Sequence, residues 1–217
     1  MNRTGKVVSW TVWIGVALTA VLLGLALFLL KLQRTGPPQL LPVIGTVPAF
    51  NLTNHLGKPV TRETLSGHVW VADIIFTRCA GPCPVMTRQM RELQDALPAS
   101  SGARLITLTT DADYDTVAVL KKESERVGAN PDRWNFLTGD KVAIANLAID
   151  GLKLTAIAKK PEERVNPSDL FVHSTIFVIV DKRGQLRGSF LTQDETTDWS
   201  QSKLRIIAAA KQLESEP

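Results

Sequence analysis

Cys79 and Cys83 are the two cysteines of this 217-residue chain, three residues apart in Phe76-Thr77-Arg78-Cys79-Ala80-Gly81-Pro82-Cys83-Pro84. On or beside one helical turn, two cysteines so spaced have Cα atoms about 6 Å apart, within disulfide range. They can close as a disulfide or stay open as converging thiolates. Two thiolates make a soft site that selects Cu(I) over hard cations. A structural disulfide, or a pair of inert thiols, is the plainer reading. A third donor such as imidazole would complete a trigonal site and tolerate Cu(II) as well. The chain has three histidines. His55 falls in a predicted hairpin turn, where a solvated side chain suffices. His68 precedes the central strand, at the end away from the cysteines. His173 opens the apolar run Ser174–Val180 after a charged loop, where a hairpin beside the central strand could carry it to the cysteines. A hydrogen-bonded structural histidine is the alternative there. Met86 and Met90 have helical spacing and read as core rather than as thioether ligands.

The elements around the pair follow from pattern. Val69–Phe76 is a nearly continuous apolar run, which predicts a central strand covered on both faces. Val85–Leu97 carries Met86, Met90, Leu93 and Leu97 at helical spacing. A strand therefore runs into the cysteines and a helix leaves them, and the positive end of that helix favours thiolate. Before the strand, residues 49–53 and 58–61 flank Asn54-His55-Leu56-Gly57 as a hairpin. After the helix come a strand at 103–108, a helix at 115–127 closed by Gly128, a short strand at 135–138 and a helix at 140–149. A strand is predicted at 151–157 and an exposed loop at 158–169. Strands at 172–180 and 185–191 form a hairpin around Asp181-Lys182-Arg183-Gly184, and a last helix covers 197–213. Parallel strands joined by helices, then an antiparallel hairpin and a helix, predict an α/β fold of thioredoxin-like type. It has an N-terminal β-hairpin and an inserted late β-hairpin.

Residues 7–30 carry no charge, and Arg3, Lys6, Lys31 and Arg34 flank them. The run is long enough to cross a bilayer and too long for an ordinary cleaved leader, so an uncleaved transmembrane helix is expected. This divides the chain into an anchor at 1–34, a linker at 35–40 and one domain at 41–217. The flanking cations tie at two on each side, and the α-amino group tips the N-terminus toward the cytoplasm. The domain would then lie on the periplasmic or extracytoplasmic side of the inner membrane, where disulfides persist. The net charge of +4 is dispersed and gives no nucleic-acid footprint.

Phe76-Thr77-x-Cys79-x-x-x-Cys83-Pro84, with His173-Ser174 about ninety residues later, resembles the SCO/SenC family. Leu137-Thr138-Gly139-Asp140 and Asp181-x-x-Gly184 are similar to that family's sequence as well. The resemblance runs from about Phe50 to Phe190. It implies a membrane-anchored thioredoxin-fold protein that handles copper, Cu(I) or Cu(II), with Cys79, Cys83 and His173 as the metal ligands. It also implies a partner, the copper-receiving subunit of a terminal oxidase, in assembly of the cytochrome c oxidase copper centre. The chain departs from the family pattern in Ala80-Gly81 for Pro-Asp and in Val172 for an aspartate before the histidine. It also has Thr109-Thr110-Asp111-Ala112 for Ser-Val-Asp-Pro. The alternative is a membrane-anchored thiol-disulfide oxidoreductase that needs no metal and uses Cys79 and Cys83 as a redox-active pair. Oligomeric state is not legible.

Overall fold

The computed structural model describes residues 3–34, 40–165, 170–194 and 196–217, with only the backbone described at 3–9, 11, 30–34, 156 and 173. The chain divides into two compact units, Met1–Leu40 and Leu41–Pro217. In the first, α1 (Arg3–Arg34) is a single helix. Its segment Val12–Leu29 has a mean hydropathy of 2.5, long and apolar enough to cross a membrane. The expected linker, apart from Leu40, lies outside the described residues.

The second unit runs β1 (Gly45–Thr46), β2 (Asn51–Asn54), β3 (Pro59–Thr61), α2 (Arg62–Leu65), β4 (Trp70–Ile75), α3 (Cys83–Ala96), β5 (Arg104–Thr109), α4 (Val117–Val127), β6 (Trp134–Thr138) and α5 (Lys141–Ala145). It continues through β7 (Ala156–Ala158), β8 (Phe171–His173), β9 (Ile176–Val180), β10 (Gln185–Leu191) and α6 (Trp199–Ser215). Eight strands form one sheet in the order β1-β10-β9-β4-β5-β6-β2-β3. Strands β4, β5 and β6 are parallel, and β9 pairs antiparallel with both β4 and β10. β2 and β3 form the N-terminal hairpin. This is the expected thioredoxin-like α/β arrangement.

The continuous apolar character of β4 has its reason in two cores. Val71 and Ile75 face one with Met86, Met90 and Leu93 of α3 and Ile206, Ala210 and Leu213 of α6. Trp70, Ala72 and Ile74 face the other with Leu52, Ile144, Leu147 and Leu152. Met86 and Met90 are fully buried, so the packing reading holds for both. Gly128 ends α4 in the left-handed region at φ 67°, which a side chain would strain.

Four expectations need correction. The predicted strand at 151–157 is mostly a loop. Leu152 and Leu154 are buried as plugs of the second core, Lys153 takes φ 57°, and only Ala156–Ala158 is strand. The helix from 140 is α-helical only to Ala145 and then widens into a π-helical turn, Asn146–Gly151. There Gly151 lies against Pro48, and a Cβ at 151 would come 2.8 Å from the proline ring. The predicted strand 172–180 is two strands. Ser174 turns away to bond Thr155, with Ser174 N–H donating to Thr155 O at 3.1 Å and Thr155 N–H donating to Ser174 Oγ at 2.6 Å. β8 therefore pairs with β7 in a separate two-stranded ladder. Finally, His55 is not solvated. It is 2% exposed, its ring packs edge-on to Phe136, and Phe136 N–H donates to Nδ1 at 3.2 Å.

Burial holds the His55 imidazole below its ordinary pKa, and Glu125 opposes this weakly. The unfolded chain takes up that proton near pH 6.5, and the folded chain resists it. His55 therefore contributes stability that is present above about pH 6.5 and is lost as pH falls toward its folded value. Urea unfolding of wild type should show stability declining between about pH 7 and pH 5. His55→Gln should flatten that decline, and an unchanged slope would contradict it.

Candidate metal and thiol centre

The site begins where β4 ends. Thr110 N–H donates to Ile75 O at 2.8 Å, completing the parallel ladder with β5 just before the chain turns. Thr77 then swings onto Asp115. Its backbone N–H donates to Asp115 Oδ2 at 3.1 Å, and its hydroxyl donates to Oδ1. Thr109 donates to Oδ2 at 2.5 Å. Asp115 is fully buried. Burial raises its carboxyl pKa, and the bonds from Thr109 and Thr77 counter that rise. Arg78 leads outward, its guanidinium 2.5 Å from Asp111 and stacked 4.1 Å from the Tyr114 ring.

Cys79 N–H donates to Phe76 O at 3.2 Å, a tight turn that leaves its side chain half-buried against the first core. Gly81 N–H donates toward Cys79 Sγ at 3.4 Å. Cys83 opens α3, preceded by Pro82 and followed by Pro84, a favourable first-turn residue. It is 3% exposed and belongs to the core with Met86 and Phe177. Pro82 O accepts from Gln193 Nε2 at 3.1 Å, and Gln89 Nε2 donates to Thr192 O at 2.9 Å, tying the α3 start to the segment after β10.

Both cysteines are thiols. Their hydrogen bond, together with burial, pushes the Cys83 pKa far up, and Asp73 adds to the rise through its charge. A backbone bond with Phe76 acts in the opposite direction. Asp73 is itself fully buried on β4. The helix-start effect expected from sequence is therefore outweighed at Cys83. The pair is asymmetric in exposure: Cys79 is half-buried at the rim and Cys83 is buried in the core. A narrow cleft lined by Phe76, Thr77, Cys79, Cys83, Pro84 and Thr87 opens beside the pair, with Glu123 and Arg126 on its wall.

His173 is on β8, paired with Ala156. Its side chain lies outside the described residues, so the structure brings Cys79 and Cys83 together and leaves the third sequence-predicted ligand undecided. Among the described residues no group of three His, Cys, Asp or Glu gathers as a metal cluster. His68 Nδ1 lies 3.0 Å from Gly102 O, away from the cysteines as expected. Sequence reasoning missed Asp115, which was assigned to the first turn of a helix. The helix starts later, with Thr116 as N-cap. The signal that could have found it was an aspartate just before a threonine cap, with a threonine at the end of each of two neighbouring strands.

A thioredoxin-like domain with a dithiol at the turn from its central strand into a helix defines a thiol-redox or soft-metal protein. The SCO1/SenC family model matches residues 43–208. The chain is 37% identical over 147 residues to a SCO1 protein homologue of Bacillus subtilis, covering 67% of this chain and 73% of that one. It is 28% identical over 151 residues to a Stutzerimonas stutzeri protein named for copper binding, covering 69% and 71%. Its structure superposes with a TM-score of 0.67 and 33% identity on BsSco, a member of the Sco family of cytochrome c oxidase assembly proteins with an identified disulfide switch. That match covers 81% of this chain and 97% of BsSco. The chain belongs to the SCO1/SenC family.

Two outcomes follow from this geometry. Brief alkylation of the reduced domain should modify Cys79 before Cys83 by roughly an order of magnitude, read by mass spectrometry. Equal labelling would contradict the asymmetry. Asp115→Ala strands the Thr77 N–H and should lower the unfolding free energy by about 2–3 kcal/mol. Asp115→Asn keeps one acceptor and should cost less, which urea titration checks.

Proposed function

We propose that the domain binds one copper ion through Cys79, Cys83 and His173, and serves in assembly of the copper centre of cytochrome c oxidase. The observation that carries this reading is that Cys79 and Cys83 line one narrow cleft at the turn into α3. Two sulfurs already converge there on a half-open rim, and no large rearrangement is needed to offer both to a soft ion. The names of the relatives support it, since one is named for copper binding and another is a member of a family of cytochrome c oxidase assembly proteins. Copper is the cargo. Loading it releases one proton from each thiol, and the Cys79 side gives the ion its way in and out. His173 supplies the borderline donor. The N-terminal helix would hold the domain at the cytoplasmic membrane, on the periplasmic or extracytoplasmic side.

The asymmetry of the pair favours one further reading, thiol-disulfide exchange with a client. Cys79 as thiolate would attack a client disulfide, forming a mixed disulfide and releasing one client thiol. Cys83, on losing its proton, would displace the second client thiol and close the Cys79–Cys83 bond. The client gains two electrons and the pair loses them. A closed pair cannot hold copper, so the two activities exclude each other in one turnover.

The reduced soluble domain should bind copper one to one, and Cys79→Ala or Cys83→Ala should abolish tight binding. His173→Ala should weaken Cu(II) by at least tenfold and Cu(I) far less, because two thiolates suffice for Cu(I) in linear coordination. Competition titration with chelators checks both. Unchanged Cu(II) affinity in His173→Ala would remove His173 from the site and favour the exchange reading.

A further inference from the structure

The strand that carries His173 does not belong to the main sheet. β7 and β8 form a ladder of their own, with Ala156 opposite His173, Ile157 opposite Val172 and Ala158 opposite Phe171. Directly opposed residues share a face, and neighbouring positions alternate between faces. The Ile157–Val172 pair faces solvent, at 58% and 46% exposure. An isolated two-stranded ribbon is marginal in water unless one face packs on something.

The opposite face supplies that packing through Phe171. Its ring meets the Phe76 ring edge-on, with centroids 5.1 Å apart and planes at 62°. Phe171 and the adjoining Leu170 pack on the first core, as Cys79 does. Phe76 is fully buried and is the last residue before the cysteine loop turns. Its carbonyl accepts from Cys79 N–H, and it lines the same cleft and core as Cys83. The ring contact therefore joins the residue that anchors the cysteine turn to the strand that carries His173. Phe171 and His173 are two positions apart on that strand, one strand repeat.

We infer that Phe171 is a positioning residue for the copper site: its ring, seated on Phe76, docks the β7–β8 ribbon at a fixed place beside the cysteine loop. The inference rests on the copper reading for its role, but the docking itself is a property of the metal-free protein. The ring touches no reacting atom and acts by where it holds β8. An aromatic pair stabilises beyond the area it buries, which biases a ribbon that is marginal on its own. The link also runs both ways, so a change in the cysteine turn reaches β8 through the same two rings.

Two readouts test it on the reduced domain, in Phe171→Ala and in the milder Phe171→Leu, which keeps apolar bulk without the ring. In the metal-free protein, amide exchange in β7 and β8 should speed up at least tenfold in Phe171→Ala, while protection in β4 and α3 is unchanged. Cu(II) affinity should fall by about 10–100-fold, the range seen when a residue that orients a metal ligand is lost. Phe171→Leu should fall between wild type and Phe171→Ala on both. If Phe171→Ala does not fold, Phe171→Leu alone decides by the same two shifts. Unchanged β7–β8 exchange overturns the docking role, whatever copper does. Faster exchange with unchanged Cu(II) affinity overturns the positioning role. Failure of the copper reading shows separately, as wild type that binds no copper or His173→Ala that binds Cu(II) as wild type does.

Discussion

A strand buried on both faces must return its chain to the surface, and here the return is governed by one buried carboxylate. Asp115 collects the Thr77 amide and the hydroxyls of Thr77 and Thr109, so the chain leaving β4 and the end of β5 are clamped to one point. Everything chemical sits on the next few residues. Because Thr77 is fixed, Cys79 falls half-exposed at the rim. Because α3 must bury Met86, Met90 and Leu93, its first residue Cys83 is drawn into the core. The difference between the two thiols is a consequence of packing on either side of a short loop. Three buried acceptor bonds in a low-dielectric setting make the clamp costly to break.

The same asymmetry frames the chemistry. A reachable sulfur beside a buried one suits a soft cation entering from one side, and it equally suits attack followed by resolution. The two uses compete for the same electrons and protons. On the proposed reading, metal and client disulfide compete for the same pair. The ribbon of β7 and β8 carries the backbone of His173 and is tethered at Ser174 and Phe171 rather than woven into the main sheet.

Much of this was legible in the residues. The apolar run of β4, the helical spacing after Cys83 and the glycine that closes α4 specify elements through local pattern, and those elements stand close to where expected. The cysteine pair was legible for the same reason, since its place at a strand-to-helix junction follows from the elements. What escaped notice depends on contacts distant in sequence. Leu152 and Leu154 alternate like a strand but plug a core formed with residues distant in sequence, such as Leu52 and Ile74. Val172–Val180 reads as one strand because nothing local tells Ser174 to bond Thr155. His55 looks like a turn residue, and only its neighbour Phe136, 81 positions away, makes it a buried one. Asp115 is a helix-start residue by pattern and a clamp by geometry.

The central claim is that two sulfurs and one imidazole nitrogen hold the ion. Copper-edge X-ray absorption on the reduced wild-type domain, loaded with one equivalent of Cu(II) and compared with His173→Ala, addresses it most directly. The account predicts sulfur scatterers at a count of two in wild type, with an imidazole signature that disappears in the variant while the sulfur shell remains. A first shell of nitrogen and oxygen only, or an imidazole signature that survives His173→Ala, would contradict it.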